Sequence, residues 1–229
     1  MLDYTLLEDK NNIWVSLSGG TDSALALYLI TKYLYENNKQ TQITPWCLVD
    51  KSRPGNDVDA QNIIDLIKDL IPYKHFNSII TGSFYKEPGG DKVALTKPFW
   101  SEMEQTGNYD LFVSALTSSP QVEEMKQIEG FYDAFVKLTS ENRDPAESKV
   151  EVNHNGRGLT IWHPFINIDK KAIAAGYEEH DLMDDLFPLT KSCVDRNKTP
   201  CFKCFWCYEK HWAFGMYDMS GGVVVPLPL

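Results

Sequence analysis

The sequence predicts an α/β protein: a doubly wound, mainly parallel five-stranded sheet followed by a small cysteine-rich C-terminal appendage. Three observations carry this expectation. Short apolar runs alternate with segments of helical period along most of the chain, as strands joined by crossover helices do. The first run, IWVSL (13–17), ends in a glycine turn that leads straight into the long helical pattern ALALYLITKYLYE (24–36). Four of the five cysteines gather between positions 193 and 207.

The elements follow in order. After the first strand and helix, QITPWCLVD (42–50) reads as a second strand. DVDAQNIIDLIKDLIP (57–72) places Ile63, Ile64, Ile67, Leu70 and Ile71 at helical spacing and stops at Pro72. HFNSIIT (75–81) and DLFVSAL (110–116) read as the third and fourth strands. Between them, 82–109 is rich in Gly, Pro and Lys, and is expected to form a lid or an excursion over the site. EEMKQIEGFYDAFVKLTSE (123–141) reads as a helix interrupted by Gly130, LTIWHPF (159–165) as the fifth strand, and DKKAIAAGYEEH (169–180) as a further helix. In such sheets ligands bind at the carboxyl ends of the strands, near the switch in strand order. The glycine loop lies at such an end. The expected organisation is an α/β domain over 1–180 that carries the glycine loop and a cysteine-bearing segment over 181–229, packed on it.

The loop itself is Ser18-Gly19-Gly20-Thr21-Asp22-Ser23. Two glycines let the backbone turn sharply and approach a ligand with no Cβ in the way. Thr21, Asp22 and Ser23 are residue types that cap helix N-termini, and such a terminus presents unpaired N–H groups to an anion. The geometry expected is a phosphate cradle. It is not a Walker A loop, whose spacing and lysine are missing. The competing reading is a Ser/Gly-rich turn with no chemical role.

Cys193, Cys201, Cys204 and Cys207 are spaced C-x7-C-x2-C-x2-C, which suits a tetrahedral structural Zn²⁺. Disulfides and a redox C-x-x-C compete with this reading. Two adjacent C-x-x-C steps sharing Cys204 are awkward for independent bridges, and a redox pair does not call for four cysteines. Cys47, inside an apolar run, reads as a small buried hydrophobe. His211 stands one helical turn beyond Cys207 and could replace a ligand, although four cysteines already fill a site.

The loop SGGTDS resembles the SGGxDS loop of the N-type PP-loop ATP pyrophosphatases. Loop and cysteine cluster together resemble the 7-cyano-7-deazaguanine synthase family. HPFINIDKKAI (163–173) is similar to that family's P-L-I-x-L-[SD]-K-x-x-I, TKSC (190–193) to T-x-S-C, and CFKCFWCYEKHWAF (201–214) to C-G-x-C-x-x-C-x-x-R-x-x-A-F. FYDAFVKL (131–138) falls where the family has an F-x-x-A-F helix. There are departures. The family's V-P-x-R-N segment has no counterpart in EPGGDKVALTKPFWSEM (87–103), and SALTSSPQVEEM (114–125) replaces an Asn/Asp-rich stretch ending in D-C-R. Phe202 stands for a glycine and Lys210 for an arginine.

The resemblance implies an adenine-nucleotide α-hydrolase-like fold and an ATP-dependent carbon–nitrogen ligase of the queuosine (deazapurine) pathway. Its cofactors would be ATP, Mg²⁺ and Zn²⁺. A 7-carboxy-7-deazaguanine carboxylate would attack the α-phosphorus of Mg·ATP to give an acyl adenylate and pyrophosphate. Ammonia would displace AMP, and a second activation would convert the amide to the nitrile. Ser18 through Ser23 would hold the nucleotide, with Asp22 helping to hold Mg²⁺ and Lys170 stabilising charge on the phosphates. For Lys170 a solvated lysine on an exposed turn stands level with that role. Asp50 could approach adenine or ribose, or cap the next loop; His163 reads as a partly buried structural histidine. Trp206 and Phe202 could stack on a base, but packing of the appendage against the sheet is the plainer reading.

The implied partners are ATP, a small-molecule deazapurine carboxylate and ammonia, with a homodimer left open. A formal charge of −10 argues against a large nucleic-acid surface. No apolar stretch approaches the ~18–20 residues of a membrane span, and with no targeting segment visible the expected location is the cytoplasm. Two other classes stay open. One is a ligase adenylating another carboxylate, or a tRNA base as thiolases do; the other is a non-catalytic nucleotide-binding module.

Overall fold

The structure is a computed structural model that describes residues 2–51, 55–86, 92–94, 109–139, 150–154, 159–195 and 199–219. In chain order the main elements are β1 (Asn12–Ser16), α1 (Thr21–Glu36), β2 (Gln42–Asp50), α2 (Asn56–Leu70), β3 (Ile80–Lys86), β4 (Lys92–Ala94) and β5 (Leu111–Val113). They continue with α3 (Val122–Met125), α4 (Val136–Thr139), β6 (Val150–His154), β7 (Leu159–Trp162), α5 (Lys170–Glu179) and α6 (Phe205–Phe214).

Among the described residues seven strands form one sheet in the order β4-β3-β2-β1-β5-β7-β6. The five central strands β3, β2, β1, β5 and β7 are all parallel, matching the expected five in number and order. From β1 the chain winds outward through β2 and β3, then returns to the other side of β1 for β5 and β7. The strand order therefore switches beside β1, whose carboxyl end feeds the glycine loop.

Sequence and structure part in three places. The edge strands β4 and β6, both antiparallel to their neighbours, were not expected. Each is short, and β6 leaves Val152 exposed, so neither carries the apolar run that marks a buried strand. The third strand runs over Ile80–Lys86 instead of 75–81; Phe76 makes only an isolated bridge to Ile43 before the ladder resumes at Trp46 opposite Ile80. The helix expected over 123–141 is broken into α3, a 3-10 turn at Asp133–Phe135 and α4. The expected interruption at Gly130 lies within the break: the residue takes φ +79°, and a Cβ there would stand 2.8 Å from the Tyr208 hydroxyl oxygen. Of the stretch 82–109, expected as a lid or excursion, 87–91 and 95–108 lie outside the described residues, as do 140 and 141 of the expected helix.

Period-two alternation sorts β1 between two cores. Ile13 and Val15 join Ile43, Val49, Leu111, Val113 and Trp162 on the face covered by α1, α2 and α5. Trp14 points the other way, into a smaller cluster with Trp46, Phe112 and Ile161. α1 is buried on most of its circumference, including Leu25, Leu27, Ile30 and Leu34, which ties the helix that opens at the glycine loop into the main core. Each such aliphatic side chain contributes about 1.5–3 kcal/mol on burial, so the site is mounted on a rigid base. Among the described residues no helix is long and apolar enough to cross a membrane.

Candidate functional site

The glycine loop leaves β1 under backbone control. The Leu17 amide donates to the Trp46 carbonyl at 2.8 Å, prolonging the sheet by one residue before the turn. Gly19 then adopts φ +82°, the left-handed region that an L side chain resists. Gly20 is extended (φ −91°, ψ 168°) and is the N-cap of α1, with no side chain to fill the cap. Thr21, Asp22 and Ser23, expected as capping types, instead occupy the first helical turn. The Ser23 hydroxyl turns back to the Gly20 carbonyl at 3.2 Å, and the Ser18 amide donates to the Ser23 oxygen at 3.2 Å. The loop is thus braced by its two serines, while the first N–H groups of a sixteen-residue helix face outward with the positive end of its dipole. An anion is the chemical complement of that arrangement.

Lys170 reaches this loop from α5. Asp169 caps α5, its carboxylate accepting from the amides of Lys171 and Ala172 at 2.9 and 3.2 Å, and so Lys170 starts the helix facing inward. The side chain is 5% exposed, not solvated. Its Nζ lies 2.7 and 2.6 Å from the two Asp22 carboxylate oxygens and 3.4 Å from Thr21 Oγ1. Glu209 of α6 adds a second carboxylate at 3.6 Å. Burial pushes the Lys170 pKa down, but Asp22 and then Glu209 more than offset it and leave it raised. Two helical turns on, the Tyr177 hydroxyl donates to the Thr21 carbonyl at 3.0 Å. The two helices pack closely, since a Cβ on Gly176 would lie 2.8 Å from Leu25 Cδ2.

The four clustered cysteines form a second centre. Their Sγ atoms all lie within 4.8 Å of one another, and Cys201 and Cys207 are 3.9 Å apart. Four thiolates at 2.3 Å from one tetrahedral ion would stand about 3.8 Å apart, so the set fits a single Zn²⁺. The amides of Cys201 and Asp195 donate to Cys193 Sγ at 3.2 and 3.3 Å, the pattern that supports a thiolate ligand. Hydrogen bonding among the sulfurs raises the Cys193 and Cys207 thiols and lowers that of Cys204. None of the five cysteines is paired in a disulfide in the structure. Cys47 is buried apart from the cluster and accepts from Asn56 Nδ2 at 3.2 Å.

Phe202, where the resembled motif has glycine, takes φ +55°, the conformation for which glycine is the usual choice. Its ring packs edge-on against Tyr217 beside the cluster. Trp206 departs from the packing expected of it: it is 43% exposed and contacts Phe205. His211 is not in the cysteine set; its ring lies against Tyr217, and neither nitrogen has a hydrogen-bond partner among the described residues. His163 is half-buried, with Nδ1 3.3 Å from the Ser114 carbonyl oxygen, as a structural histidine should be. Asp50 closes β2 opposite Phe84.

One short segment, Thr190–Cys193, joins the two centres. The Lys191 amide donates to the Gly19 carbonyl at 2.8 Å, so the segment holds the loop at its positive-φ residue. Asp218 fixes the segment from the far side, accepting from the amides of Ser192 at 2.9 Å and Cys193 at 2.7 Å. Lys210, fully buried, bonds the Thr190 carbonyl at 3.1 Å and Asp218 Oδ1 at 2.7 Å, and lies 4.3 Å from the Phe187 ring centroid. Burial lowers its pKa against the pull of Asp218. Glu209, Lys210 and Asp218 had no functional assignment from sequence. The available signal was position: Glu209 and Lys210 follow Cys207 on one helix, so they inherit the orientation the cysteines impose.

No family model and no curated protein matches the sequence. Solved structures do resemble the fold. The U34-tRNA thiolase NcsA from Methanococcus maripaludis, with its 4Fe–4S cluster, aligns over 94% of this chain and 67% of its own, at 12% identity and a TM-score of 0.44. The NMN synthetase from Francisella tularensis aligns over 96% of this chain and 83% of its own, at 14% identity and a TM-score of 0.37.

Proposed function

We propose that this chain is a PP-loop ATP-utilising ligase of the 7-cyano-7-deazaguanine synthase type, with residues 1–180 as the nucleotide-binding unit and 181–229 as a zinc-binding segment. The observation that carries the reading is the cradle: a Gly19-Gly20 turn at the carboxyl end of β1, an uncapped N-terminus of α1, and the buried ammonium of Lys170 beside Asp22. In this reading the N–H groups of the first turn and the Ser18 and Ser23 hydroxyls receive the β- and γ-phosphates. Asp22 would help to hold Mg²⁺ on the phosphates. Lys170 stabilises negative charge as the substrate carboxylate attacks the α-phosphorus and pyrophosphate departs. Adenylation makes AMP the leaving group in place of oxide, so ammonia can form the amide and a repeated activation the nitrile. The protein's share is positioning and charge stabilisation, and no side-chain nucleophile is needed.

Zinc, held by Cys193, Cys201, Cys204 and Cys207, would supply structure: it would pin the start of α6 and the end of the segment that grips Gly19. A four-iron cube capped by one thiolate on each iron would hold the sulfurs farther apart than the single ion the present spacing fits.

Incubation with 7-carboxy-7-deazaguanine, ammonium and Mg·ATP should yield AMP and pyrophosphate, with the amide appearing before the nitrile. ADP and orthophosphate as first products would overturn adenylation. The missing V-P-x-R-N segment favours one second reading, a ligase for a different carboxylate. AMP formation with another acid but not with the deazaguanine would establish it.

The glycine requirement falls on Gly19. Gly19→Ala meets a left-handed backbone costing about 1–2 kcal/mol, which the short loop can relieve only by turning its amides away. The Kd for ATP, measured by titration calorimetry, should rise by about tenfold or more while Tm falls only a few degrees. An unchanged Kd would remove the loop from nucleotide binding. At Gly20, where φ is negative and a Cβ would be 3.4 Å from Ser18 Oγ, alanine fits the loop itself, so only a larger side chain such as valine should obstruct the phosphates.

A further inference from the structure

Lys170 is one buried cation facing two carboxylates, and the two are differently placed. Asp22 belongs to the glycine loop, and its side chain is 20% exposed toward the space where the nucleotide would bind. Glu209 comes from α6 and is itself buried, 7% exposed. The start of α6 is set by Cys204 and Cys207, so Glu209 is mounted on the metal-bearing segment and not on the loop. Both Asp22 oxygens are engaged by the lysine, at 2.7 and 2.6 Å. A carboxylate so engaged must let go before it can serve a phosphate-bound cation. With Asp22 as sole partner, that release would strand a buried ammonium without a counter-charge, among the costliest arrangements in a protein interior.

We propose that Glu209 is the standing counter-ion of Lys170, a positioning residue that keeps the ammonium in place when Asp22 exchanges the lysine for the cation of Mg·ATP. The exchange rests on the adenylating reading above; the counter-ion role does not. The site then has three stations: a mobile carboxylate on the loop, a lysine shared between states, and a fixed carboxylate on α6. Glu209 occupies one of the two unspecified positions in the resembled C-x-x-R step, so the device belongs to this chain's own residues.

A thermal double-mutant cycle without nucleotide tests the counter-ion role. Asp22→Asn and Glu209→Gln should each lower Tm by a few degrees, because the remaining carboxylate still pairs with Lys170. The double variant should lose about 10 °C beyond their sum. Costs that simply add would overturn the proposal. So would Asp22→Asn alone costing as much as the double. The kinetic arm tests the exchange: Glu209→Gln should lower kcat for pyrophosphate release about tenfold with KM for ATP within about twofold, and Glu209→Asp should recover most of the rate. Zinc content equal to wild type in both variants separates this from damage to the cysteine site. An unchanged kcat in Glu209→Gln would overturn the exchange. Wild-type protein that neither binds nor consumes Mg·ATP would instead overturn the adenylating reading, leaving the thermal cycle to decide the counter-ion.

Discussion

If the cysteine cluster holds zinc as proposed, a Cys204→Ser variant should take the metal content from about one per chain to near zero, and the loss should spread to the glycine loop. Cys204 is the N-cap of α6 and lies between two other ligands in sequence, so its removal breaks both C-x2-C grips at once. Binding energy at such a site is folding energy, of order 10 kcal/mol in isolated zinc peptides. Part of that is dissipated in local unfolding, and the expected result is a fall in Tm of about 10 °C. The structural route to the loop is short. Cys193 ends the segment whose Lys191 amide holds the Gly19 carbonyl at 2.8 Å, and freeing Cys193 slackens that hold. ATP affinity should therefore drop with metal content although Cys204 touches no nucleotide. Metal analysis, thermal unfolding and titration calorimetry on one preparation check all three. Cys47→Ser, outside the cluster, is the control that keeps its metal. Wild-type protein purified without chelators and free of zinc would defeat the metal assignment. A Cys204→Ser protein that binds ATP normally would defeat the coupling.

The second large effect belongs to Asp218→Ala. Lys210 is 0% exposed, and its Nζ meets Asp218, the Thr190 carbonyl and hydroxyl, and the face of Phe187. Removing the carboxylate leaves a buried ammonium unpaired, at a cost of about 3–5 kcal/mol, and orphans the amides of Ser192 and Cys193 as well. For a domain of this size Tm should fall by about 10–15 °C. Asp218→Asn, which keeps the shape and one acceptor oxygen, should fall between that variant and wild type. Adding Lys210→Met to Asp218→Ala should restore several degrees by removing the stranded charge, but not all, since the two amides still lack their acceptor. A loss below about 2 °C for Asp218→Ala would show that the pair does not hold the segment.

The order of strands and helices was legible because burial writes periodicity into local sequence. Four of the five parallel strands were found where apolar runs stand, the third lying later than its run, and α1, α2 and α5 where the helical spacing stands. The errors have one source. Val150–His154 and Lys92–Ala94 become strands by pairing with β7 and β3, so no apolar run announces them. The interruption expected at Gly130 is present, but the helix already stops at Met125, and the left-handed turn at Gly130 lies against Tyr208, a residue far away in sequence. Gly19 and Gly20 looked equivalent as letters, but only one of them takes a positive φ.

What the sequence by itself determined about this protein is local: a strand–glycine turn–helix unit and four cysteines clustered near the end of the chain. Both follow from what a few neighbouring residues can do regardless of their surroundings. The tertiary structure alone decided how far each charge is from water. Lys170 read equally well as a solvated lysine, and only the packing of α5 on α1 buries it between Asp22 and Glu209. Lys210 looked like a substitute for arginine, and only the closure of Asp218 over it makes it the post that ties the cysteine site to the glycine loop. A charged side chain carries the same formal charge in any sequence. Its energetic weight comes from desolvation and from partners as much as 149 residues away, as Thr21 is from Lys170, and those exist only once the chain has folded.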